Sequence, residues 1–223
     1  MDHEPTLDAG LTLLATPDAR STALHRLVAR TLTDGRPAYW VDARNTATTY
    51  ALAEVARTDR LLDRVRVARA FTAYQHHELV RELVGRVDAR TGLVVCPNLG
   101  SLYRDGDVPD REAADLRAAT VAVLTDLADA CDVPVLVTAR GEAREAVAAA
   151  ADRELDCTRT DFGLHYEGES FETTVYPVDG GWQTTVPYWV DRCGAVADRG
   201  AVELTDAVAP DATDAALAAF GGV

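Results

Sequence analysis

The chain has 223 residues, with 36 Asp and Glu against 22 basic residues that are all arginine, for a formal net charge of -14. That length carries a hydrophobic core without disulfide staples. Cys96, Cys131, Cys157 and Cys193 stand too far apart for a zinc knuckle, and no leader, lipidation site or bilayer-length apolar run is evident, so the expectation is a cytoplasmic protein without resident metal or membrane contact.

In chain order, Leu11–Ala15 reads as a buried strand, followed by a turn and a helix start at Ser21 and Thr22. Further strands are expected at Ala38–Val41, Val65–Ala68, Leu93–Cys96 and Val133–Val137. The last two are continuously apolar, as in parallel strands covered on both faces. Leu79, Val80, Leu83, Val84 and Val87 make one helical face; Leu116, Thr120, Val123, Leu127 and Ala130 make another behind the start signal Pro109-Asp110. An Ala-rich helix is expected from Glu142 to Ala151. Strand–helix alternation implies right-handed βαβ units in a doubly wound sheet. From Arg153 to Val190 the composition turns to Thr, Tyr, Phe, Trp and Val, and Phe171–Val178 and Trp182–Val190 flank the hairpin signal Asp179-Gly180-Gly181. The reading is an α/β core over 1–152, an antiparallel extension of the same domain over 153–209, and a helix or tail over 210–223.

The turn after the first strand is where an α/β protein holds phosphate. A phosphate loop needs Gly-x-x-x-x-Gly-Lys-Ser/Thr, because glycines free backbone N–H groups to cradle the anion and lysine neutralises it. Here Ala15, Arg20 and Ser21 stand at the two glycine positions and the lysine position, and only Thr22 matches. Asp18 would repel phosphate, and Ala15 and Arg20 do not reach positive φ cheaply.

Tyr39-Trp40-Val41-Asp42, Val65-Arg-Val-Ala-Arg-Ala-Phe71 to Gln75, Leu93 to Arg104 and Val133 to Thr138 together resemble the core of the RecA/RadA recombinase family, most closely its archaeal branch. The resemblance spans roughly residues 10 to 150, without the N-terminal helix–hairpin–helix domain. It implies a RecA-like three-layer sandwich: a mostly parallel sheet with helices on both faces and an antiparallel C-terminal hairpin. It also implies an ATP site, and this chain departs from that site at each expected group. Pro97 occupies the place of the magnesium-holding Asp and offers no side-chain oxygen. Arg44 occupies the place of the water-activating Glu and cannot act as a base. With the phosphate loop also degenerate, three elements of phosphoryl transfer are missing together.

The resemblance further implies two DNA-binding loops. The first falls near Tyr103 to Asp107; the second, after Val133–Val137, is reduced to Thr138-Ala-Arg-Gly141. Arg104, Arg111, Arg140 and Arg144 could pair with phosphate there, but pairing with the neighbouring Asp and Glu on a solvated face is the preferred reading. Trp182, Tyr188 and Trp189 are unusual aromatics on a strand interrupted by Pro187, and suit either partner docking and base stacking or packing on their own domain. His76-His77 read as a surface pair at a helix start, because adjacent helical residues point about 100° apart and chelate one ion poorly. Phe220-Gly-Gly-Val223 bears a faint similarity to the Phe-x-x-Ala peptide that joins recombinase protomers.

An Arg-only, Asp- and Ala-rich composition points to a high-GC organism, an archaeon by the resemblance, living in molar salt. The Debye length there is about 3 Å, so the acidity counts only mildly against a nucleic-acid partner. The expectation is a pseudo-ATPase without cofactor that acts by binding a protein, such as an active recombinase or repair factor, with DNA contact secondary. Monomer or homodimer is favoured over filament. The alternative is a non-hydrolysing nucleotide sensor of the circadian-clock-like (KaiC-like) or gas-vesicle-regulator branches. No nucleophile–base pair supports an unrelated enzyme.

Overall fold

The structure, a computed structural model, describes residues 5–18, 21–32, 35–55, 59–106, 108–161, 163–169, 171–178 and 181–184. All lie within the first of the two units into which the chain divides, Met1–Pro187. The tail expected over 210–220 and the positions of Arg20, Tyr188 and Trp189 lie outside the described residues.

The strands are β1 (Gly10–Ala15), β2 (Ala38–Ala43), β3 (Val65–Ala70), β4 (Leu93–Leu99), β5 (Pro134–Ala139), β6 (Arg153–Thr160), β7 (Gly163–Gly168), β8 (Phe171–Val178) and β9 (Gly181–Thr184). The helices are α1 (Ala23–Thr31), α2 (Thr49–Val55), α3 (Ala73–Leu83), α4 (Asp110–Cys131) and α5 (Glu142–Ala148), with 3-10 turns at Asp59–Arg64 and Leu102–Arg104. The strands form one sheet in the order β3-β2-β4-β5-β1-β6-β7-β8-β9. From β3 to β6 every neighbouring pair is parallel, and β7, β8 and β9 follow antiparallel. This is the α/β architecture expected, and it is consistent with a RecA-like sandwich. The antiparallel part begins one strand later than read, because β6 runs parallel to β1, pairing Thr12 with Arg153 and Ala15 with Asp156. The expected hairpin is present, with Val178 opposite Gly181 and Trp182 opposite Pro177.

Period-two alternation divides the core between the two faces of the sheet. Leu11 and Leu13 of β1, Val94 and Cys96 of β4, and Val135 and Val137 of β5 point to the face covered by Val80 and Leu83 of α3, Val121, Leu124 and Leu127 of α4, and Val147 of α5. Leu14, Trp40, Leu93, Val95 and Leu136 point the other way, onto Leu24, Leu27 and Val28 of α1 and Leu52 of α2. Leu155, Cys157, Leu164 and Tyr166 extend that second cluster along β6 and β7. The Tyr166 hydroxyl donates to Ala23 O at 3.4 Å, which pins α1 over the start of the antiparallel part. Asp110 and Glu112 in the first turn of α4 suit the positive helix end, and the helix stops at Asp132 in the left-handed conformation, φ 51°.

Candidate functional site

Open α/β sheets bind ligands beyond the carboxyl ends of their parallel strands. Here the central ones belong to β2, β4, β5 and β1, and the chain's own side chains tie each to the next.

Beyond β1, Ser21 is buried and its hydroxyl accepts from Ala23 N at 3.3 Å. Thr22 is the N-cap of α1 but sits in helical backbone, φ -78° and ψ -1°, and its side chain makes no capping bond. The N-cap side chain thus leaves the free N–H groups of the first turn to others, and Ser21 takes the one at Ala23. Ala15 is half-buried at the end of β1. Arg140, one residue past β5, reaches across and donates to Thr16 O at 3.4 Å and Thr16 Oγ1 at 3.3 Å. Asp18 faces Arg159 of β6 at 3.7 Å. Within this turn Thr16 and Asp18 are thus engaged by arginines from elsewhere in the chain.

Beyond β2 the turn is organised by Asp42, whose side chain is fully buried. Its Oδ1 accepts from Thr46 N at 2.9 Å, from Ala47 N at 3.3 Å and from the Thr46 hydroxyl. Arg69 Nε stands 3.5 Å from its Oδ2, and the same guanidinium donates to Ala47 O at 3.1 Å. These bonds hold Arg44 and Asn45 in the left-handed region, φ 67° and 60°, which costs energy for residues with a Cβ. That bend aims Arg44 over the neighbouring strand. It donates to Ser101 O at 2.8 Å and pairs with the Asp105 carboxylate. An arginine in this state supplies no base.

β4 runs farther than the apolar pattern predicts, through Pro97 and Asn98 to Leu99. Pro97 removes a ladder donor from an interior strand, and the pairing with β5 shifts accordingly between Cys96 and Leu99. Asn98 sits at φ 54°. Its backbone N–H donates to Thr138 Oγ1 at 2.8 Å and its amide to Ala43 O at 3.4 Å. Gly100 follows at φ +90°, and a Cβ there would lie 2.2 Å from that of Ala143 on α5, so only glycine lets the turn close. The ties run from β2 to β4 through Arg44 and Asn98, from β4 to β5 through Thr138, and from β5 to β1 through Arg140.

The arginines suggested for phosphate contact divide. Arg144 pairs with Glu154 at 3.1 Å and Asp156 at 3.4 Å on β6, as the ion-paired reading expects. Arg140 serves the tie just described, and Arg104 lies beside Gly141 with its side chain exposed. Arg111 is exposed on the first turn of α4. Trp182 has its backbone in β9, opposite Pro177 of β8.

The histidine pair corrects an expectation. His76 is not a surface residue: it lies in the first turns of α3, fully buried, with Nδ1 2.9 Å from the Tyr103 hydroxyl. His77 is half-buried, 2.9 Å from Thr120 Oγ1. The helix begins at Ala73, capped by Thr72 accepting from Gln75 N, and this rotates His76 toward α4. The Thr72-x-x-Gln75 spacing is the signal that would have placed it.

Among the described residues no group of three or more His, Cys, Asp or Glu is arranged to hold a metal ion. Burial pushes the thiols of Cys96 and Cys157 up to about 12. A thiol-specific reagent at neutral pH is therefore expected to modify half-buried Cys131 well before Cys96 and Cys157, read by peptide mapping of the folded protein. Equal labelling of the three would show that the sheet opens faster than the reagent acts. No family model matches this chain, and no curated protein is significantly similar to it.

Proposed function

We propose that this chain is a non-catalytic RecA-like accessory or regulatory protein, acting by protein binding in recombination or repair. The observation that carries the reading is the use of Arg44: where the resemblance implies a water-activating Glu, a guanidinium bridges β2 to Ser101 O and Asp105. Arg140 occupies the turn that would face a triphosphate in the same manner. A frame kept while its catalytic positions become internal ties is under selection for its surface. One such surface is edge strand β3 and the turn into α3, where Val67, Phe71 and Tyr74 are 41%, 73% and 47% exposed. Exposed aromatics on a rigid turn are suited to a protein partner, and Gln75 Oε1 holds the Phe71 backbone N–H at 3.0 Å. Arg104 and Arg111 offer a secondary contact to DNA phosphate.

The test has two arms, both in molar KCl. Calorimetry with ATP and Mg²⁺ is expected to show no heat at millimolar nucleotide, and saturable heat would favour the nucleotide-sensor alternative. Affinity capture from the source cells is expected to recover a recombinase or repair factor, and to lose it in the Phe71→Ala, Tyr74→Ala double variant. Recovery of neither kind of protein sinks the proposal.

A further inference from the structure

Four side chains join α3, the turn after β4 and α4. His76 Nδ1 lies 2.9 Å from Tyr103 Oη, Tyr103 Oη lies 2.9 Å from Thr120 Oγ1, and His77 Nδ1 lies 2.9 Å from the same Thr120 oxygen. The proton order follows from counting. The Thr120 hydroxyl has a single proton and donates it to Leu116 O at 2.7 Å. Thr120 therefore accepts from both Tyr103 and His77. Tyr103, having given its proton to Thr120, accepts from His76, whose proton must sit on Nδ1. His76 Nε2 is left as a bare lone pair on a ring with no solvent exposure, without a hydrogen-bond partner among the described residues.

We propose that His76 is an acid-sensitive latch: the neutral ring holds the turn carrying Ser101 to Asp105 against α3 and α4, and protonation at Nε2 releases it. The new N–H would be a buried donor with nothing to receive it, on a ring standing edge-on to Tyr103 at 5.7 Å. The groups facing His76 do not relieve this. Tyr103 comes from the turn and Thr120 from α4, and the Cys96 thiol on β4, which acts on Tyr103, stays neutral. His77, itself lowered by burial and by Arg81, opposes a second positive charge. Burial first and His77 second lower His76 to about 4. The ordinary value is 6.5 and the folded value is depressed, so the latch is closed above pH 6.5 and weakens as pH falls through about 4. Apart from this network, the described packing of the turn is two small clusters, Tyr103 with Ala73, Val108 and Ala113, and Leu102 with Ala43 and Ala70. The turn also carries Asp105, the partner of Arg44, so unlatching loosens the β2–β4 tie as well.

The experiment is amide hydrogen exchange on the full chain, corrected for intrinsic rates, from pH 7 to 4. Protection at 101–106 is expected to fall at least about tenfold on acidification, while the centres of α4 and β5 hold. In His76→Gln, where His77 is the one histidine of the network left to titrate, most of that fall is expected to disappear. Full protection at pH 4, or parallel loss in both proteins, overturns the proposal. Should the variant fail to fold, ring NMR of the wild-type histidines decides. An Nδ1–H tautomer titrating together with the turn amides supports the latch, whereas an Nε2–H tautomer or an ordinary titration near 6.5 refutes it.

Discussion

Trp40→Ala is expected to cost about 3–5 kcal/mol of folding stability, read as a lower urea midpoint at unchanged slope. Trp40 is the largest fully buried side chain among the described residues, in the cluster formed with Leu24, Leu27, Leu93 and Val95 between the sheet and α1. The loss exceeds the transfer energy because two rigid layers cannot collapse into the space left behind. The indole also carries the His25 ring at a centroid distance of 5.6 Å, and His25 Nε2 donates to Thr46 O at 2.9 Å, tying α1 to the turn beyond β2. Trp40→Phe keeps part of that shelf and is expected to cost less than half as much. A loss below about 1 kcal/mol for the alanine variant would mean that α1 does not depend on this face of the sheet for its position.

Asp42→Ala is expected to cost about 3 kcal/mol, and Asp42→Asn far less. The carboxylate gathers the bonds from Thr46 and Ala47 and balances Arg69 at 3.5 Å. Alanine strands those donors, while asparagine retains an acceptor at the same reach. The penalty should be concentrated in the turn, because the left-handed backbone of Arg44 and Asn45 persists only while something holds it. Denaturant melts of both variants, with exchange of the 44–47 amides, provide the measurement. Equal losses for alanine and asparagine would transfer the credit from hydrogen bonding to the charge of Asp42.

The same two residues show where sequence reading worked and where it stopped. Trp40 could be placed because Tyr39-Trp40-Val41 is a short apolar run between polar segments, and a strand covered on both faces has no other sequence signature. The runs Leu93–Cys96 and Val133–Val137 followed the same logic, and β4 and β5 lie at the interior of the sheet. Asp42 escaped notice because an acidic residue at a strand end usually faces water, and nothing local says that Thr46 and Ala47 will fold back on it. His76 was read as exposed for a related reason. Its burial depends on α4 lying across α3 and on Tyr103 arriving from a turn 27 positions away in sequence.

Arg44 and Arg140 mark the boundary between the two kinds of knowledge. That neither arginine can act as a base is a property of the side chain, true in any fold and available from residue identity alone. That Arg44 reaches Ser101 and Asp105, and Arg140 reaches Thr16, depends on strands 57 to 124 residues apart being brought edge to edge. Local composition and period set which segments become strands and helices, because burial and backbone pairing act over a few residues. The partners of individual polar groups are set by the order in which those segments assemble, because hydrogen bonds and ion pairs act only at contact.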